Sequence, residues 1–183
     1  MICIISSISL SILHPDNESY GDTKGNHMAE EPVLNAHNKN EYPPMHTAEH
    51  ILNKTMVNMF GCERSKNAHI EKKKSKCDYH LASEPTQEQI AEIERRVNEV
   101  IDSHVDVTVE YVDRNHIPAD VDLSKLPDDA SETLRLVRVG NYDVCACIGT
   151  HVNNTSEIAP FKILSSDWNQ GIWRVRFKLL ESK

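Results

Sequence analysis

The sequence lacks a hydrophobic run long enough to cross a bilayer, and it lacks the excess positive charge of proteins that hold nucleic acid by general electrostatics. The apolar run of residues 2–13 is shorter than the roughly 20 residues that a membrane-spanning helix needs. The net charge is −8, from 28 acidic and 20 basic residues. The composition therefore predicts no membrane partner and restricts any nucleic-acid contact to a local basic patch.

The cysteines lack both the number and the spacing of a disulfide framework. There are five, at positions 3, 62, 77, 145 and 147. An odd count without regular spacing favours a reducing compartment, and we expect a cytoplasmic protein. Cys145 and Cys147 lie too close together for an ordinary redox pair, so only one of them need bind a metal.

The first forty residues differ in composition from the rest of the chain. Residues 14–26 are polar and rich in turn formers, and residues 29–44 show no periodicity. We interpret residues 1–40 as a tail, or as an extension upstream of a true start at Met28, and residues 41–183 as the folded domain. A secretory signal is the alternative, although no Lys or Arg precedes the apolar run and no clear cleavage site follows it.

Two helices and several strands are predicted within the domain. Pro43 and Pro44 suit the start of a helix whose apolar stripe begins at Met45, and Gly61 suits its end. A Thr-x-x-Gln capping box at residues 86–89 opens a second helix. Strands are predicted at residues 105–112, 134–139, 144–147, 161–164 and 172–179. Because helices precede strands without regular alternation, we predict an α+β fold with a mainly antiparallel sheet packed against two principal helices.

Two short motifs about a hundred residues apart concentrate potential metal ligands. They are His46-Thr-Ala-Glu-His50 and Cys147-Ile-Gly-Thr-His151. On a helix, four-residue spacing places both side chains on one face. Three imidazoles and one thiolate form a natural tetrahedral set for zinc. Glu49 does not have the position of the metalloprotease glutamate, so we expect it to be a solvated helix residue.

A basic segment follows the first helix. It carries a charge of +5 between residues 64 and 76, from Arg64, Lys66, Lys72, Lys73, Lys74 and Lys76 against Glu71. It is either a solvated, lysine-rich loop or a phosphate-contact segment beside the site. Asn67 and His69, in the same segment, are either substrate-pocket residues or ordinary core or surface residues.

The ordered combination of these motifs resembles the editing domain of alanyl-tRNA synthetases and its free-standing relatives, the AlaX-type editing proteins. The matching pieces are His46-Thr-Ala-Glu-His50-Ile-Leu, the helix of residues 93–101, the strand of residues 134–140, Cys147-Ile-Gly-Thr-His151-Val, Thr155-Ser-Glu-Ile158 and Phe161-Lys-Ile163. The resemblance covers roughly residues 42–180. Within this family, the chain resembles a short, free-standing protein that acts in trans.

The resemblance implies hydrolysis of the ester that joins a wrong amino acid to tRNA(Ala), usually serine and sometimes glycine. It implies that His46, His50, Cys147 and His151 bind one Zn²⁺ and form the catalytic centre. Thr47 and Thr150 would order the ligands or the substrate. Whether the ion performs chemistry or only orients the substrate stays open, because sites with four protein ligands are usually structural.

The sequence departs from the family pattern at four positions. Ile148 replaces a glycine beside the cysteine, Ser156 and Ala159 replace later glycines, and Met45 stands where an arginine often occurs. These changes affect the expected serine specificity more than the hydrolytic site. Two other functions stay open: a non-catalytic, zinc-stabilised module that binds tRNA or a synthetase, and hydrolysis of another small ester or amide.

Overall fold

The first helix begins and ends where the sequence predicts. The computed structural model describes residues 42–119, 121, 123 and 132–180. Helix α1 (Pro43–Phe60) follows Tyr42 and has proline in its first turn. Gly61 ends it in the left-handed conformation, with φ of 63°, and its N–H donates to the carbonyl of Val57 at 2.9 Å. This conformation favours glycine because a side chain would crowd the backbone.

The second helix is amphipathic and closed at its start by the predicted capping box. In α2 (Gln87–Asp102), the Gln89 N–H donates to Thr86 Oγ1 at 3.2 Å, and the Thr86 N–H donates to Gln89 Oε1 at 2.9 Å. Ile93, Val97 and Ile101 form the buried stripe. Within the described part of the chain, neither helix is long and apolar enough to cross a membrane.

Among the described residues, seven strands form two antiparallel sheets, which confirms the predicted α+β class. They are β1 (Asn67–His69), β2 (Ser75–His80), β3 (Val107–Asp113), β4 (Thr133–Val139), β5 (Asp143–Ala146), β6 (Phe161–Asn169) and β7 (Ile172–Leu179). One sheet has the order β1-β2-β7-β6, and the other has the order β3-β4-β5. The sequence does not predict β1 and β2, because β1 has only three residues and β2 has only two apolar side chains, Cys77 and Tyr79.

The main core lies among the two helices and the larger sheet, and it also takes Val137 and Val139 from β4. Trp173, Val175 and Phe177 of β7 are fully buried. The first three turns of α1 are buried on almost every side, so His46 and His50 lie inside the domain. Helix α1 therefore supplies both core side chains and the two buried histidines.

Candidate metal centre

Helix α1 and the loop after β5 bring the four predicted ligands together. His46 and His50 are buried one turn apart on α1, while Cys147 and His151 are half-buried in the loop. One ligand atom from each residue lies within 4.8 Å of the others. The sulfur of Cys147 is 3.5 Å from Nε2 of His46 and 3.4 Å from Nε2 of His151. This cluster could hold a metal ion.

Hydrogen bonds fix which nitrogen of two histidine rings faces the sulfur. Nδ1 of His46 lies 3.1 Å from the carbonyl oxygen of Thr150, which can only accept. Thr47 Oγ1 donates to the carbonyl of Pro43 at 2.9 Å, so it accepts from Nδ1 of His151 at 3.2 Å. Both rings therefore carry their proton on Nδ1 and direct the lone pair of Nε2 into the cluster, as metal-binding histidines do.

His50 is oriented by a buried ion pair that has no signal in the sequence. Its Nδ1 is 3.6 Å from Oδ2 of Asp143. Arg64 binds both oxygens of that carboxylate, with Nη1 at 3.2 Å from Oδ2 and Nη2 bonded to Oδ1. Burial opposes ionisation, but hydrogen bonding to His50 and the charge of Arg64 hold the pKa of Asp143 below its usual value. No local sequence signal identifies this pair, since its members are 79 positions apart.

The prediction that Arg64 contacts tRNA phosphate is corrected by this arrangement. Arg64 is only 3% exposed, and its guanidinium faces Asp143 rather than solvent. Because Asp143 is 79 positions away from Arg64, the basic segment alone does not reveal that one of its charges is paired in the interior. Lys66, Lys72, Lys73 and Lys74 are exposed and Lys76 is half-buried, in agreement with a solvated or phosphate-facing segment.

The electrostatics of the cluster favour the ligand forms of Cys147 and His151. Burial lowers the pKa of His50, but the charge of Cys145 and the hydrogen bond to Asp143 outweigh it and raise that pKa well above its usual value. Burial alone raises the pKa of the Cys147 thiol, but hydrogen bonds from His151, His46 and His50 outweigh it and lower that pKa to about 2. Burial and the neighbouring histidines lower the pKa of His151 to about 4. A thiolate and a neutral imidazole are the species that bind transition metals. One thiolate with three imidazoles fits Zn²⁺ in ligand type and number.

Glu49 is buried at 4% exposure, so the expectation of a solvated residue was wrong. Its Oε1 accepts from Nδ2 of Asn53 at 3.0 Å, and its Oε2 lies 3.8 Å from Nε2 of His46. Residues three apart on a helix share a face. Glu49 therefore lies on the same side of α1 as His46, and this side of the helix faces the interior of the domain.

The remaining predicted substrate residues are engaged elsewhere. Asn67 donates from Nδ2 to Oδ2 of Asp78 at 2.7 Å. His69 is exposed, and its Nε2 lies 2.8 Å from Oε1 of Glu71. Their assignment to a substrate pocket stays a prediction, whereas Thr47 and Thr150 contact the histidines of the cluster directly.

Fold and cluster together define an α+β domain with a centre of three histidines and one cysteine. Residues 134–176 match the family model described as threonyl and alanyl tRNA synthetase second additional domain. The chain is 30% identical to an alanine–tRNA ligase of Methanococcus vannielii over 148 residues, which cover 79% of this chain and 17% of that ligase. It is 34% identical to an alanine–tRNA ligase of Halorubrum lacusprofundi over 136 residues, which cover 72% and 15% of the two chains.

These matches confirm the resemblance drawn from the motifs. The match to the threonyl and alanyl tRNA synthetase second additional domain lies at residues 134–176, and the wider similarity, over 79% of this chain, is to an alanine–tRNA ligase. It spans less than a fifth of the length of the curated relatives that it matches.

Proposed function

We propose that this domain is an aminoacyl-tRNA deacylase that acts in trans in the cytoplasm on mischarged tRNA(Ala). Its preferred substrate is Ser-tRNA(Ala), with Gly-tRNA(Ala) as the second. The observation that carries the proposal is the convergence of three histidines on the Cys147 sulfur, with two of the rings oriented by Thr47 and Thr150.

His46, His50, Cys147 and His151 would hold one Zn²⁺. When bound, zinc supplies a Lewis acid that polarises an ester carbonyl or lowers the pKa of water. The four side chains would fix the position of the ion, and His46 and His50, which are both buried, would hold it from the α1 side. Cys147 and His151 are half-buried, so the ester approaches from the loop side.

The need for such a site follows from the limits of binding discrimination. A synthetase pocket distinguishes substrates that differ by one small group by only about 1–3 kcal/mol. Serine and glycine differ from alanine by one such group. A separate hydrolytic site that removes the wrong ester therefore raises accuracy beyond what one pocket can reach.

The lysine-rich turn between β1 and β2 would contact the tRNA backbone near the site. Nζ of Lys72 lies 5.3 Å from the centroid of the Tyr42 ring. Tyr42 caps the end of α1 that carries His46. Exposed lysines contact phosphate without reading sequence, so this turn would bring the 3′ end of a tRNA toward the cluster.

The proposal is tested by deacylation of Ser-tRNA(Ala), Gly-tRNA(Ala) and correctly charged Ala-tRNA(Ala). We expect the wild type to release serine fastest, and both Cys147→Ser and a chelator to abolish release. Cys62→Ser is the matched control because Cys62 is half-buried and lies outside the metal-binding cluster. Full activity of a metal-free preparation would contradict the zinc assignment.

Zinc and tRNA binding without release from any substrate would instead favour the non-catalytic binding module. Competition by free aminoacyl esters that equals competition by the charged tRNA would favour a small-molecule esterase.

The tRNA contact has a separate test. Replacing Lys72, Lys73 and Lys74 with glutamine should weaken tRNA binding. It should also reduce the slope of log K against log salt by about 2, since each phosphate contact contributes about 0.7–0.9. Lys162→Gln, on β6, is the control for loss of a surface lysine. An unchanged salt slope in the triple variant would exclude this turn as the contact.

A further inference from the structure

Two sets of potential metal ligands share His50. Among the described residues, one is the cluster of His46, His50, Cys147 and His151, and the other consists of His50, Asp143 and Cys145. In the second set the sulfur of Cys145 lies 3.4 Å from Nδ1 of His50. Imidazole, carboxylate and thiolate are all zinc ligands, so ligand chemistry alone does not decide between the two sets.

The position of Arg64 distinguishes the two ligand sets, because Arg64 occupies the carboxylate of the second set. Its guanidinium binds both carboxylate oxygens of Asp143, and the two side chains are 1% and 0% exposed. A cation that bound this carboxylate would have to lie beside a buried guanidinium or displace it. Separating a buried ion pair leaves an uncompensated charge, which is strongly unfavourable.

We propose that Arg64 is a positioning residue that holds Asp143 out of metal coordination and so commits His50 to the four-residue cluster. With Asp143 engaged by Arg64, its carboxylate serves only as an outer partner on the Nδ1 side of His50. Nε2 is then the nitrogen available to the ion. This inference rests on the metal-binding part of the proposed function, not on deacylation.

The test uses Co²⁺ as a spectroscopic probe, with Arg64→Met as the informative variant. We expect wild type to bind one Co²⁺ with a single thiolate ligand. In Arg64→Met the released Asp143 makes the second set available, so we expect either a second bound Co²⁺ or a spectrum with an added thiolate or a carboxylate ligand. Affinity for the first ion should fall about 10–100-fold, as for loss of an outer-shell partner.

Two further variants distinguish a change in the set of residues that bind the ion from general damage to the fold. Arg64→Met combined with Asp143→Asn should restore the wild-type spectrum and stoichiometry, because an amide is a poor ligand for the ion. Arg174→Met is the matched control: Arg174 also binds both oxygens of an aspartate, Asp78, at 2.7 and 2.6 Å. That pair belongs to neither ligand set, so the control should leave Co²⁺ binding unchanged.

An Arg64→Met protein that binds one Co²⁺ with the wild-type spectrum would overturn the proposal. If that variant does not fold, X-ray absorption of the zinc-loaded wild type decides. One sulfur with three nitrogen ligands supports the proposal, and a second sulfur or a carboxylate ligand overturns it. None of these readouts involves tRNA, so an inactive but zinc-binding protein would contradict the deacylase proposal alone.

Discussion

Thr47→Val is the most informative single substitution near the centre, because one hydroxyl joins the helix to the ligand loop. Thr47 is fully buried. Its Oγ1 donates to the Pro43 carbonyl at 2.9 Å. It also accepts from Nδ1 of His151 and from the N–H of Val152, each at 3.2 Å. Valine keeps the shape and β-branching of threonine but removes every one of these hydrogen bonds.

The expected cost follows from the two donors that are left without an acceptor. A buried unsatisfied donor costs about 1–3 kcal/mol. The Val152 N–H is buried, whereas the His151 ring is half-buried and recovers part of its cost from water. We therefore expect a loss of about 2–4 kcal/mol in the free energy of unfolding of the metal-free protein. Zinc affinity should fall about 10–100-fold, because the His151 ring loses the group that orients it.

Denaturant unfolding of the metal-free protein and zinc competition with a chromophoric chelator measure the two effects. Thr47→Ser is the matched control, since it keeps Oγ1 and removes one methyl group, which costs about 1 kcal/mol. The reasoning would be refuted if the valine variant were as stable as the serine variant and bound zinc equally well.

Two further predictions concern the scaffold. Gly140→Ala should destabilise more than Gly61→Ala: both glycines have positive φ, 49° and 63°, but an added Cβ meets the Val105 side chain at 3.0 Å only at Gly140. Left-handed strain costs about 1–2 kcal/mol at each position, and overpacking adds about 1–3 kcal/mol at Gly140; equal melting temperatures would contradict this. Hydrogen bonding to Arg174 lowers the pKa of Asp78 below 3.8, so its contribution to stability is present above that pH and is lost as pH falls through the folded-state pKa. Asp78→Asn should therefore be less stable than wild type at pH 7 and nearly equal to it in strong acid, as followed by urea unfolding.

The sequence by itself determined the local elements and the ligand pairs. Proline at the start of α1, Gly61 at its end and the Thr86–Gln89 box define helix boundaries through interactions only a few residues long. The four-residue spacing of His46 and His50 fixes their shared face for the same reason. Local steric and hydrogen-bonding rules suffice for such features.

Only the tertiary structure decided what surrounds the ligand pairs. Arg64 lies in a basic run, yet it is buried against Asp143, 79 positions away. Glu49 looks like a surface residue, yet it is buried beside His46. Burial and long-range charge pairing depend on which elements pack together, and neither has a local signal. Residue types and their spacing identify the four ligands. The fold determines which ring nitrogen points into the cluster, and which carboxylate and which second cysteine lie beside it.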